Sequence, residues 1–169
     1  RTEHGFAVEG CIPQTAPLAV TGVRACDLAA LAIQDKIFLQ GPYPDPCYAA
    51  RRESLFLVAV NCTHPAATCF CASTGDGPRA THGFDIALTE LDDGFVALAG
   101  SPRGERMLDE LALPDATAPQ VASDQSAVEQ AAAQQTRSLP GRNLRDALFA
   151  NLQHPRWDEV ANRCLSCGN

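Results

Sequence analysis

The longest apolar runs in the chain are short and sit far apart. Pro17–Val23 (PLAVTGV) is apolar and β-prone, and reads as a buried strand. Ser54–Asn61 (SLFLVAVN) is nearly continuous in apolar residues, the pattern of a strand covered on both faces. Between them Cys26–Phe38 carries apolar residues at Leu28, Leu31, Ile33 and Ile37 with Asp27 near its start, which predicts a helix with an acidic first turn. The proline-rich stretch Gly41–Pro46 excludes both helix and central strand there. Strand, helix, strand in that order predicts an α/β domain whose two strands run parallel.

Further along, Cys62–Gly83 has no regular period, and a loop of that length inside a compact domain is usually functional. Phe84–Leu91 and Phe95–Ala99 predict a β-hairpin around Asp92-Asp93-Gly94. Ser101 and Pro102 open a helix to about Leu113. Residues 114–119 read as a linker, 124–137 as a helix, and 142–152 as another helix after the Leu139-Pro140-Gly141 break. The expected fold is α/β: a mixed sheet with parallel buried strands, a β-hairpin, and a C-terminal helical segment leading to a truncated ferredoxin-like motif. The expected division is an α/β iron–sulfur domain over 1–113, a linker and helices over 114–162, and the start of a ferredoxin-type domain over 163–169.

Composition narrows the function. Of 169 residues 46% are hydrophobic, the net charge is −7, and Lys36 is the single lysine beside scattered arginines. A phosphate-binding surface needs clustered cations, so nucleic acid is not an expected partner. No apolar run reaches the roughly 18–20 residues that span a bilayer, so no membrane insertion is expected. The chain opens on Arg1-Thr2-Glu3-His4, without Met or a secretory pattern, and ends on Cys167-Gly168-Asn169, which suggests an excerpt of something longer.

The chemistry lies in eight cysteines, at 11, 26, 47, 62, 69, 71, 164 and 167. They cluster as Cys62/Cys69/Cys71 and Cys164/Cys167 in a chain with enough apolar residues for a core, which favours metal or cluster ligation over disulfides. Cys62-x6-Cys69-Phe70-Cys71 follows a predicted strand directly. In an extended Cys-x-Cys both sulfurs face one side, leaving Phe70 to anchor in the core. A [4Fe–4S] cluster takes four thiolates. Cys26 is the expected fourth, because it also follows a strand and emerges at the same sheet edge. Backbone N–H groups over 73–77 are suited to donate to cluster sulfurs.

Other assignments stay open at this point: zinc held by the same cysteines with His64 or His82 in a structural or interaction module, core cysteines without a ligand role, and a Cys62/His64 nucleophile. Gly75-x-Gly77-x-x-Ala80 formally fits a dinucleotide fingerprint, but it follows no strand. Cys11 and Cys47 stand apart as ordinary residues. Cys164-Leu-Ser-Cys167 looks like the first half of the ferredoxin run Cys-x2-Cys-x2-Cys-x3-Cys-Pro.

Four segments together carry a resemblance: Gly22–Leu28 (GVRACDL), Asn61–Pro78, Gly83–Thr89 (GFDIALT) and Arg163–Asn169 (RCLSCGN). They resemble the 4Fe–4S dicluster proteins that form the β subunit of cytosolic nickel–iron (sulf)hydrogenases and the corresponding iron–sulfur component of anaerobic sulfite reductase. Residues 118–135 carry none of the resemblance. It implies a cytoplasmic iron–sulfur subunit of an oxidoreductase complex, not a catalyst by itself. Such a component relays electrons between a flavin-containing electron-transfer subunit, on one side, and the catalytic subunit of the complex on the other. The resemblance further implies that Cys164 and Cys167 open the first ferredoxin-type motif.

Overall fold

The computed structural model describes residues 15–139 and 143–164. Cys11 and Cys167 lie outside the described residues. Two compact units divide at Ser138 and Leu139.

The first unit is built on a four-stranded mixed sheet in the order β1-β2-β3-β4. β1 (Leu18–Val23) and β2 (Leu55–Val60) pair in parallel, with Leu18 opposite Leu55 and Thr21 opposite Val58. The register then slips, so that Val23 faces Ala59 and Gly22, at φ 84°, is the extra residue of a bulge. β3 (Ile86–Leu91) is parallel to β2, and β4 (Gly94–Ala99) turns back antiparallel on β3 through Asp92-Asp93. The expected parallel pair and hairpin are both present.

Burial departs from expectation at β1. Its position at the sheet edge leaves Leu18 57% exposed, and Val23 alone of the strand is buried. In β2 the buried residues alternate, Leu57 and Ala59 facing the core. Helix α1 (Ala25–Phe38) lays Ala25, Leu28 and Leu31 on that core. Ile33 and Ile37 do not join them, being 60% and 59% exposed. At 100° per residue they stand some 140–180° around the helix from Leu28, so the apolar stripe is narrower than a count of apolar positions implies.

Helix α2 (Pro46–Ser54) occupies a stretch that the proline pattern assigns to loop and strand approach. Pro46 sits at the first helical position, where its missing N–H costs nothing. The Asp45 carboxylate accepts from the N–H groups of Cys47 and Tyr48 at 2.8 and 3.1 Å. Asp35 of α1 receives Tyr48 Oη at 2.7 Å and Arg52 Nε at 3.2 Å, tying the two helices together.

After β2 the chain makes one short helical turn, α3 (Cys71–Thr74), before β3. Helix α4 (Pro102–Leu111) starts as expected, with Ser101 Oγ accepting from Gly104 N–H at 3.1 Å. Helix α5 (Ala118–Ala133) begins earlier than the polar pattern predicts, because Thr117 caps it and Gln120 accepts from Thr117 N–H at 3.0 Å. Its buried positions Asp124, Val128 and Ala131 follow the i, i+4, i+7 spacing, and the helix packs against β3 and β4.

The second unit contains α6 (Leu144–Ala150) and α7 (Arg156–Asn162), the first shorter than the helix expected over 142–152 and the second beyond it. The Trp157 indole donates to the Asn151 carbonyl at 2.7 Å and closes the turn between them.

Candidate metal centre

Parallel pairing fixes where the thiols emerge. β1 ends at Val23 and β2 at Val60, so Cys26 and Cys62 leave the sheet at the same carboxyl edge. Cys26 lies in the first turn of α1, where the Asp27 carboxylate accepts from Arg24 N–H at 2.9 Å and sets the start of the helix. Cys62 is fixed by its neighbour. Asn61 is 4% exposed, donates through Nδ2 to Thr89 Oγ1 at 2.8 Å, and accepts from Ala80 N–H at 2.8 Å. Cys62 N–H in turn donates to the Pro78 carbonyl at 3.2 Å. One buried amide thus ties the end of β2 to β3 and to the returning arm of the cysteine loop.

The loop differs from an extended Cys-x-Cys. Phe70 has φ −144° and ψ 7°, so the chain turns there and Cys71 begins α3. Phe70 is 43% exposed and does not anchor in the core. Gly75 closes α3 in the left-handed conformation at φ 78°. The N–H groups of Ser73, Gly75 and Asp76 point back to the carbonyls of Phe70 and Cys71, which consumes much of the donor set expected to face a cluster. No helix follows Gly75-x-Gly77 before β3, which removes the dinucleotide fingerprint. Gly77 has another use: a Cβ there would lie 3.0 Å from Cys71 Sγ and 3.2 Å from Ala25 Cβ. Glycine lets the loop close onto the start of α1.

Cys26, Cys62, Cys69 and Cys71 carry thiols rather than disulfides. They are near enough to feel one another. Partial desolvation pushes the thiol of Cys26, a residue still exposed at the surface, up from its ordinary value of 9.0, and Asp27, Cys71 and Cys62 push the same way. Burial also raises Cys62, opposed by the Arg24 guanidinium beside it and reinforced by Cys71 and Cys69. Arg24 is held in place by the carbonyls of Val60 and Asn61, at 3.3 and 3.4 Å from Nη1. On Cys71, Gln135 Nε2 donates to the sulfur at 3.3 Å.

The two histidines considered as ligands each place Nδ1 against the preceding threonine. His64 Nδ1 lies 3.1 Å from Thr63 Oγ1, and His82 Nδ1 lies 2.9 Å from Thr81 Oγ1. Among the described residues no three His, Cys, Asp or Glu side chains close around a single ion. Thiolates on one tetrahedral zinc stand about 3.8 Å apart, given a Zn–S bond of about 2.3 Å. A cubane cluster is larger, and each thiolate binds its own iron, so the four thiols can stand further apart. Thiols that act on one another electrostatically, Cys26 with Cys62 and Cys71, and Cys62 with Cys69 and Cys71, suit the donor chemistry of an iron–sulfur cluster better than a Cys–His zinc knuckle.

Arg24 and Asn61 lie within segments that carry the resemblance, but no pattern in the sequence gives either a task. Gln135 leaves no signal there, since its partner is 64 residues away in sequence. Cys164 is exposed and follows α7 directly, with its N–H donating to the Ala161 carbonyl at 3.0 Å.

The first unit is thus an α/β sheet domain with Cys26 and Cys62 just beyond the carboxyl ends of its parallel strands. The chain's sequence similarity supports a hydrogenase β-subunit-like family. Over 150 residues, 88% of this chain, it is 35% identical to the sulfhydrogenase 2 β subunit of Pyrococcus furiosus, and it spans 44% of that relative's length. No family model matches the chain, and no solved structure matches it. Among the described residues no helix is long and apolar enough to cross a membrane.

Proposed function

We propose that this chain is the iron–sulfur part of an electron-relay subunit in a hydrogenase-like complex. Cys26, Cys62, Cys69 and Cys71 would hold one [4Fe–4S] cluster. The observation that supports this is the exit of Cys26 and Cys62 at the carboxyl edge of the parallel pair β1 and β2, with Cys71 acting electrostatically on both and Cys69 on Cys62. Cys164 and Cys167 would open a ferredoxin-type motif. Two partners are proposed: a flavin-containing electron-transfer subunit, and a catalytic subunit of hydrogenase or sulfite reductase type. Residence in the cytoplasm is part of the same proposal, because cysteines stay reduced and free to ligate most readily in a reducing compartment.

The cluster, when bound, supplies one-electron transfer. The protein's own residues bind it, shield it and set the charge around it. Arg24 places a cation beside Cys62, which favours the thiolate there. Asn61, tied to Thr89 and Ala80, fixes the end of β2 from which Cys62 leaves.

Anaerobic purification with iron, sulfide and zinc analysis tests the assignment. A brown protein with iron and sulfide in near-equal amounts supports it, and a colourless one with stoichiometric zinc overturns it in favour of a zinc-stabilised module. Cys69→Ala should abolish the visible absorption of this centre, whereas Cys47→Ala should leave it intact.

A further inference from the structure

Helix α5 is the part of the first unit that carries none of the family's motifs, yet it reaches the cysteine loop twice. Arg79 donates to the Asp124 carboxylate and to the Asp124 carbonyl, both at 3.1 Å, which pins the arm following α3 to the helix. One residue beyond the C-cap, the half-buried Gln135 makes a two-point contact with the start of α3. Its Oε1 accepts from Ala72 N–H at 3.0 Å, and its Nε2 donates to Cys71 Sγ at 3.3 Å. The Cys71 sulfur also lies 3.7 Å from Oε1. The amide's orientation is not arbitrary. Ala72 N–H lies in the first turn of α3 and has no carbonyl of its own turn to donate to, so it takes the oxygen. The nitrogen is then left facing the sulfur.

We propose that Gln135 sets the reduction potential of the cluster held by Cys26, Cys62, Cys69 and Cys71, acting through its N–H···S bond to Cys71. The inference rests on the iron–sulfur assignment above. Reduction adds negative charge that spreads onto the thiolate sulfurs. A hydrogen bond to one of them stabilises that charge and raises the potential. Gln135 is a positioning residue in this sense: it touches the ligand, not the iron. Its contact with Ala72 keeps the donor aimed, because rotating the amide by 180° would leave the Ala72 donor unmet.

Two variants separate the two halves of the contact. Gln135→Leu removes both. Gln135→Glu at pH 8 keeps an acceptor for Ala72 N–H, removes the donor to sulfur and adds a negative charge. The full chain, reconstituted anaerobically, is titrated with dithionite while the reduced cluster is followed by electron paramagnetic resonance. Iron and sulfide content are measured alongside. The expected result is a shift to more negative potential in Gln135→Leu and a larger shift in Gln135→Glu, at unchanged iron content. An unchanged potential in a fully loaded Gln135→Glu protein would overturn this inference and leave the cluster assignment standing. Loss of cluster from both variants would assign Gln135 to assembly of the site and would also overturn it. A wild-type chain that takes up no iron and sulfide would overturn the cluster assignment and this inference together.

Discussion

Asn61 and Thr89 are joined by a side-chain hydrogen bond of 2.8 Å in the buried middle of the sheet, with Thr89 only 1% exposed. The same Asn61 amide also accepts from Ala80 N–H, so it links two strands and the loop at the point where Cys62 leaves β2. Asn61→Ala would leave the Ala80 donor and the Thr89 hydroxyl buried without their partner, at a cost of about 1–3 kcal/mol. Urea unfolding of the apo chain should show that loss. The loaded protein should also release its cluster faster to a chelator, since Cys62 is then less firmly placed.

Asp85 is the most heavily used carboxylate of the sheet. It accepts from Leu57 N–H at 2.8 Å, from Ser101 Oγ at 2.5 Å and from Arg103 Nη2 at 3.1 Å, while its side chain is 6% exposed. Asp85→Ala strands a buried N–H and an arginine, and should destabilise the fold by about 3–5 kcal/mol. Arg103→Ala should cost clearly less, because that side chain is 46% exposed and Asp85 keeps its other two donors. Equal losses in thermal unfolding would contradict this ranking.

Gly77→Ala places a methyl against Cys71 Sγ and Ala25 Cβ, at 3.0 and 3.2 Å before any relaxation. The fold can absorb this at about 1–2 kcal/mol. The displacement falls on a proposed ligand, so cluster retention in air should suffer more than apo stability. Retention equal to wild type would show that the close approach has no part in holding the cluster.

The apo protein should lose stability at alkaline pH. Cys62, half-buried, and to smaller effect the exposed Cys26 are raised above the ordinary thiol value of 9.0 by desolvation and neighbouring charge, so the folded chain holds their protons longer than the unfolded one. That contribution is fully present below the unfolded value and is lost as pH rises through the folded one. Melting temperatures between pH 7 and 10 should fall at the upper end. The fall should be smaller when both cysteines are replaced by serine. Cluster loading should run the other way and quicken from pH 7 to 8.5, because binding releases these protons.

The sequence made the α/β core legible because its signals are local. Two apolar strands flank one helix, Asp92-Asp93-Gly94 marks a hairpin, and Ser101-Pro102 marks a helix start. α2 was hidden because a proline run reads as a breaker, while Pro46 at a first helical position is the exception that Asp45 makes workable. The exposure of β1 was not legible, since an apolar strand looks alike at a sheet's centre and its edge. At the site, the cysteines announced themselves through spacing, but the turn at Phe70 did not, because the geometry of Cys-x-Cys depends on one ψ angle. Gln135 was out of reach, as only tertiary packing of α5 brings it to Cys71.

The bulge at Gly22 has a consequence for how this chain can change over time. With one residue more in β1 than in the stretch of β2 it faces, the step from Thr21 to Val23 advances the partner strand by a single position. Losing Gly22 would leave Thr21 and Val23 adjacent, opposite the adjacent Val58 and Ala59, and the bulge with its local bend and extra twist would be gone. The direction in which the chain leaves β1 would change with that bend, and Arg24 and Cys26 would enter α1 at a different angle. Amino acids on the open face of β1 can therefore be exchanged with little penalty, but the strand's length cannot. Among natural variants, substitutions should accumulate at Leu18 and Val20, while deletions and insertions should be missing between Thr21 and Cys26.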